Sequence, residues 1–211
     1  MNFLPFGTVY GTLLNFRREV DAWQDRAQQP PYKAAPQAPV LYVKTANTWT
    51  THGQPIAVPA SVPQVEIGAT AGLVMGAANT VAQVVLMNDL SVPHASFFRP
   101  PVKFKCLDGF LGIGAQAVAL ASVADLAALR LTVKVNGAVV HEVDFAQLVR
   151  SPSQLVADVS AFMTLRAGDV LMVGCDVLPS GVRPLAAVGD RIDIDVPGFP
   201  TLSHWLVKEA A

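Results

Sequence analysis

Charge is scarce in this chain. Only 15% of its 211 residues are Asp, Glu, Lys or Arg, against about 25% in an ordinary soluble domain. The 15 basic residues are balanced by 16 acidic ones. No basic excess is left to neutralise phosphates, which excludes nucleic acid as the expected partner. Two cysteines, Cys106 and Cys175, make neither a disulfide framework nor a CxxC metal knuckle, and both read as reduced thiols of a cytoplasmic protein. A Gly-rich phosphate loop, a G-x-S-x-G elbow and an H-E-x-x-H helix are all missing. The four histidines (His52, His94, His141, His204) are scattered without ligand spacing.

Apolar residues, by contrast, are abundant, at 52% with a mean hydropathy of +0.39. That composition excludes intrinsic disorder and leaves apolar surface beyond one core, so an oligomer is expected. In the apolar start, Arg17 and Arg18 follow the hydrophobic run rather than precede it, unlike a signal peptide. The uncharged stretch from Ile67 to Met87 is long enough to cross a bilayer. Its Gly68, Gly72, Gly76, Asn79, Thr80 and Gln83 read instead as strand, turn, strand.

Asn15 is placed to cap a helix on which Phe16, Val20, Trp23 and Ala27 share a face. Pro30 and Pro31 stop it, and the proline-rich stretch to Pro39 is an extended connector. Strands are expected at Val40–Lys44, around Ile56–Val58, at Ala71–Met75 and at Val81–Met87. Alternation of Leu131, Val133 and Val135 with polar residues, followed by Asn136-Gly137, predicts a hairpin with a type I′ turn. Ser151-Pro152-Ser153-Gln154 predicts a helix start with a capping box and a core face of Leu155, Val159, Phe162 and Met163. Further turn-to-strand units run from Ala167 to Met172 and from Val188 to Ile194. The class is α+β with strands dominating, divided into an N-terminal strand, helix and connector (1–39) and a β-rich domain (40–211).

Two acidic positions carry possible chemistry. Asp193-x-Asp195 puts two carboxylates on one strand face, a geometry that grips Mg²⁺ or simply meets solvent. Asn88-Asp89 ends an apolar run, where a buried carboxylate is costly unless paired or metal-bound. Downstream, Lys103, Lys105 and Asp108 bring charge into a charge-poor region, as a functional site or as a structural ion pair.

At these residues the sequence resembles the fumarylacetoacetate hydrolase family over nearly its whole length. The resemblance is carried by Met87-Asn88-Asp89-Leu90-Ser91, by Lys105-Cys106-Leu107-Asp108-Gly109-Phe110, by Phe162 to Val170, and by Val188-Gly189-Asp190-Arg191-Ile192 with Pro197-Gly198-Phe199. Leu13 to Arg17, Asp21 to Gln24, Pro31 to Ala34 and Val43 to Thr48 resemble one subgroup. It is the N-terminal half of the isomerase/decarboxylases of 4-hydroxyphenylacetate (homoprotocatechuate) degradation.

The resemblance implies a mixed β-sandwich roll with few short helices. It also implies a cation, Mg²⁺ or another divalent ion, held by a Glu-x-Glu pair and an Asp, polarising a small 2-oxo dicarboxylic acid as a Lewis acid. By resemblance Asp89 is the metal ligand, Lys105 the catalytic ammonium that stabilises enolate charge, and Asn15, Lys44 and Asp108 the substrate-binding residues. Aligning Leu73-Val74-Met75-Gly76 with the family strand puts Gly68 and Thr70 at the two Glu positions. Glu66, two residues away, reaches that place only by moving along the strand by about 7 Å. The arginine expected after Asp89 is replaced around Val92-Pro93-His94, and the segment between Gly76 and Asn88 is short. The expectation is therefore a subunit of a 2-hydroxyhepta-2,4-diene-1,7-dioate isomerase / 5-carboxymethyl-2-oxo-hex-3-ene-1,7-dioate decarboxylase. Its own metal site is degenerate, and it assembles as a homo-oligomer or with a metal-bearing homologue. The alternatives are a non-catalytic structural partner of such a homologue and an acylpyruvate-type C–C hydrolase.

Overall fold

A computed structural model describes residues 2–77, 79–96 and 101–210. In its first half lie β1 (Val9–Leu13), α1 (Arg17–Ala27), β2 (Val40–Lys44), β3 (Trp49–Thr51), β4 (Ile56–Val58), β5 (Val65–Glu66), β6 (Ala69–Met75) and β7 (Val81–Asp89). There follow α2 (Val102–Lys105), β8 (Leu111–Ile113), β9 (Arg130–Val135), β10 (Ala138–Asp144) and α3 (Pro152–Ser160). The chain closes with β11 (Val170–Met172), β12 (Leu185–Ala186), β13 (Arg191–Asp195) and β14 (Leu202–Lys208).

The strands form a mixed seven-stranded sheet, β2-β1-β11-β6-β7-β8-β3, a five-stranded sheet, β10-β9-β13-β14-β4, and the small pair β12-β5. The strand-dominated α+β class and the roll expected by resemblance are what the structure has. β1, from the N-terminal segment, is hydrogen-bonded on both sides inside the large sheet, antiparallel to β2 and parallel to β11.

Alternation along β6 and β7 buries both faces of the large sheet. One face packs Ala71, Leu73, Val84 and Leu86 against Leu131, Val133, Ile192, Ile194 and Leu202 of the five-stranded sheet. The other face carries Val9, Leu13, Tyr42, Val85, Met87, Leu111 and Val170, around which the sheet curls. A strand buried on both sides reads as a continuous apolar run, which is why 67–87 looks membrane-like in sequence. Among the described residues no helix is long and apolar enough to cross a membrane. Gly11 is required opposite Tyr42 on the neighbouring β2, since a Cβ there would lie 2.0 Å from the Tyr42 ring.

The hairpin turn at Asn136-Gly137 has the positive φ angles, 51° and 85°, that a type I′ turn needs. Three local expectations are corrected. Asn15 does not cap α1; the cap position is Phe16, without a side-chain bond, because the Asn15 amide is committed elsewhere. Ser151 caps α3 by accepting from Gln154 N, but Gln154 turns its side chain to Asp158, 2.5 Å away, so the box does not close. Phe162 lies beyond the last turn of α3 and is 64% exposed, not in the core.

Candidate functional site

Residues 85, 87 and 89 of β7 share a face, so alternation carries Asp89 onto the inner side of the curled sheet, fully buried. A lone carboxylate there is untenable without partners. The fold supplies three cations. On β2, Tyr42 and Lys44 point inward two residues apart. The Lys44 ammonium stands 3.0 Å from Asp89 Oδ1, and the Tyr42 hydroxyl donates to Asp89 Oδ2. Lys105, the last residue of α2, donates to Oδ2 at 2.6 Å, its ammonium 4.8 Å from the Tyr42 ring centre. Arg183, from the loop between β11 and β12, places Nη1 3.9 Å from Asp89 Oδ2. Its Nη2 is 3.8 Å from Oε1 of Glu19, a buried residue in the first turn of α1.

The electrostatics follow from these contacts. Burial by itself would raise the Asp89 pKa, but Lys105, Lys44 and Arg183 together hold it well below the usual carboxylate range. Glu19 goes the other way: burial pushes it up to about 7, only partly opposed by Arg183. Burial lowers the pKa of Lys44, with Asp89 opposing, and burial also raises the Cys175 thiol to about 11.

The residues expected at the Glu-x-Glu positions show how the site is closed. The Thr70 hydroxyl donates to the Gly174 carbonyl. Gly68 packs its backbone directly on the end of β7, and a Cβ at that position would lie 2.2 Å from the Asp89 carbonyl oxygen. Ile67 donates its N–H to Pro184 O at 2.8 Å, which ties the loop carrying Arg183 to this same edge. Glu66 is part-buried on β5, its backbone paired with Ser91.

The donor chemistry does not fit a divalent cation. Hard cations need several oxygen ligands with charge to offset their own, yet among the described residues no three His, Cys, Asp or Glu side chains converge. The dominant obstacle is repulsion. At 4 Å and an effective dielectric of about 20, a dication and a single positive charge repel by about 8 kcal/mol, and three such charges already surround Asp89.

Of the residues singled out from sequence, Asp89, Lys105 and Lys44 meet in one cluster. The Lys44 ammonium also donates to the carbonyls of Phe110, at 2.8 Å, and Lys105, so its donors are spent on the fold. Asn15 is buried elsewhere. Its amide donates to Val173 O at 2.8 Å and its carbonyl accepts from Arg150 N at 2.9 Å. Asp108 is exposed and accepts from Asn47 at 2.6 Å; no bond among the described residues joins it to Asp89. Sequence reasoning passed over Tyr42, Glu19 and Arg183. Arg183 did leave a signal, as the one charged residue between Asp176 and Asp190.

The model for the fumarylacetoacetate hydrolase C-terminal family matches residues 8–207. The chain is 37% identical over 213 aligned residues to a 4-hydroxyphenylacetate degradation bifunctional isomerase/decarboxylase of Salmonella dublin, covering 96% of this chain and 48% of that protein. It is 36% identical to a homoprotocatechuate catabolism bifunctional isomerase/decarboxylase of Escherichia coli, with the same coverage. The chain thus spans about half the length of the curated relatives it matches. Among solved structures, 5-carboxymethyl-2-hydroxymuconate delta-isomerase from Mycobacterium smegmatis shares the fold, with a TM-score of 0.73 and 22% identity over 97% of this chain and 80% of that one.

Proposed function

Because this chain belongs to the fumarylacetoacetate hydrolase C-terminal family, we propose that it is a subunit of an isomerase/decarboxylase of aromatic-acid breakdown whose own metal site has been lost. The substrates are 2-hydroxyhepta-2,4-diene-1,7-dioate, a dicarboxylate, and 5-carboxymethyl-2-oxo-hex-3-ene-1,7-dioate, whose carboxymethyl group adds a third carboxylate, both small acids of the cytoplasm. The relatives at 36–37% identity support the pathway. One observation carries the loss: the only carboxylate retained from the ligand set, Asp89, is neutralised by Lys44, Lys105 and Arg183. No catalytic step here runs through a metal. What the chain's own residues do is hold Asp89 ionised, position the Lys105 ammonium beside it, and exclude water from both.

Activity in this reading belongs to an assembly with a metal-bearing homologue. Exposed apolar side chains support such an assembly, among them Phe6 at 79% and Val102 at 60% exposure. Calorimetric titration of the isolated protein with Mg²⁺ or Mn²⁺ is expected to show no binding; micromolar affinity overturns the reading. Turnover of the decarboxylase substrate by the isolated chain overturns it equally. The purely structural role is separated by Lys105→Met in this chain within the assembled complex. A loss of activity favours a contributing site, and full activity favours a scaffold.

A further inference from the structure

The loop from β11 to β12 is pinned to α1 by two ion pairs of opposite sense. At its start Asp176 meets the Arg18 guanidinium, and at its end Arg183 reaches Glu19, the next residue of α1. A loop acid thus holds a helix base, and a loop base holds a helix acid. Between the pins the crown of the loop closes on itself, Leu178 N donating to Val182 O and Gly181 N to Leu178 O, both at 2.8 Å. It stands off the helix across a cavity of about 300 Å³, lined by residues 178–181 on one side and by Arg18, Asp21 and Ala22 on the other. Outside the pins the chain is anchored, Gly174 O accepting from Thr70 and Pro184 O from Ile67. The Arg183 pin is loose, with ion pairs of 3.8 and 3.9 Å and an Nη1 that has no hydrogen-bond partner among the described residues.

Asp176 also faces His141 of β10. Both side chains are buried, and His141 Nε2, 4.0 Å from Asp176 Oδ2, has no hydrogen-bond partner among the described residues. Arg18 from α1 and Glu142, next on β10, are the other charges near the ring; opposite it on β9 stands Val133. A proton on this imidazole puts a second cation beside Arg18, in a buried place where neither repulsion nor lost hydration is screened. Burial holds the His141 pKa below its ordinary 6.5, with Asp176 opposing and Arg18 assisting. The closed arrangement is therefore fully favoured above pH 6.5 and loses that stability as pH falls through the lowered value. We propose that residues 176–183 are a strap that lifts off α1 as one body, with His141 as its proton-operated release, and that lifting draws Arg183 away from Asp89 and admits water to the cluster.

The test is amide hydrogen exchange, read by NMR on the full chain between about pH 8 and about pH 5 and corrected for intrinsic rates. The opening constants of Val177, Leu178 and Gly181, and of the Arg183 Nε–H, are expected to rise together, by up to about tenfold per pH unit below 6.5. Leu73 and Leu86 in the β6–β7 pair are expected to keep their protection. His141→Gln is expected to flatten the rise. Glu19, which faces Arg183, and the charges around Asp89 are the same in both proteins and cancel in that comparison. Arg18→Gln removes a pin and is expected to raise strap exchange about tenfold already at about pH 8. Strap protection that does not change with pH, an Arg183 Nε–H that stays protected while the amides open, or β6–β7 protection lost along with them would each overturn the proposal. So would the same rise in His141→Gln or unchanged exchange in Arg18→Gln. If either variant does not fold, the unaltered protein decides: the imidazole signal of His141 is expected to titrate where strap exchange rises, and unequal midpoints overturn the proposal.

Discussion

The end of β7 and the face of β13 both carry Asp residues beside basic partners, yet they obey different physics. Asp89 is sealed in the curl of the large sheet between three cations. On β13, Asp193 meets Arg191 at 3.0 Å and Asp195 meets Lys134 at 2.9 Å with both side chains a third or more exposed. Water screens the second pair of contacts and not the first. Burial rather than the count of acids therefore sets what a carboxylate contributes, and the Asp-x-Asp pattern on β13 is the solvated outer face that its alternation with Ile192, Ile194 and Val196 suggests.

The sharpest way to break this contrast is to neutralise each acid in turn. Asp89→Asn leaves three buried cations without their shared anion and is expected to cost roughly 3–5 kcal/mol or abolish folding, read as the midpoint of urea unfolding. Gly68→Ala follows at about 1–3 kcal/mol, since its methyl meets the Asp89 backbone and must push β6 off β7; an unchanged midpoint would refute that close approach. Glu19→Gln sharpens the comparison by pH. The folded-state pKa of Glu19, about 7, lies above its ordinary 4.5. The folded protein therefore keeps a proton that the unfolded chain releases, and stability present below about pH 4.5 is lost as pH rises through 7. The unaltered protein should lose stability relative to Glu19→Gln across that window, and parallel profiles would exclude it. Asp195→Asn is the smallest, expected to cost no more than about 1 kcal/mol and less in high salt.

Much of this architecture is written locally. The 131–143 hairpin, the β6–β7 pair and the α3 start follow from alternation, an Asn-Gly turn and a Ser-Pro cap, all signals contained within a dozen residues. Asp89 and Lys105 are visible because charge interrupts an apolar run. Glu19 is hidden because it sits in a helix turn already crowded with Arg17, Arg18 and Asp21, where nothing marks the one charge that turns inward. Arg183 meets Asp89 across 94 positions of chain, a contact fixed by the β12–β5 pairing and by no local pattern. Asn15 failed as a cap for the same reason: its amide is claimed by Val173 and Arg150, partners 158 and 135 residues away.

The backbone contact at Gly68 limits what that position can ever hold. With 2.2 Å between a would-be Cβ and the Asp89 carbonyl oxygen, no side chain, a carboxylate included, fits at that position without prising two strands apart. Even then it would meet a guanidinium already installed nearby. A carboxylate introduced at that position is therefore expected to lower stability before it contributes any ligand, and the Asp89 backbone holds position 68 to glycine.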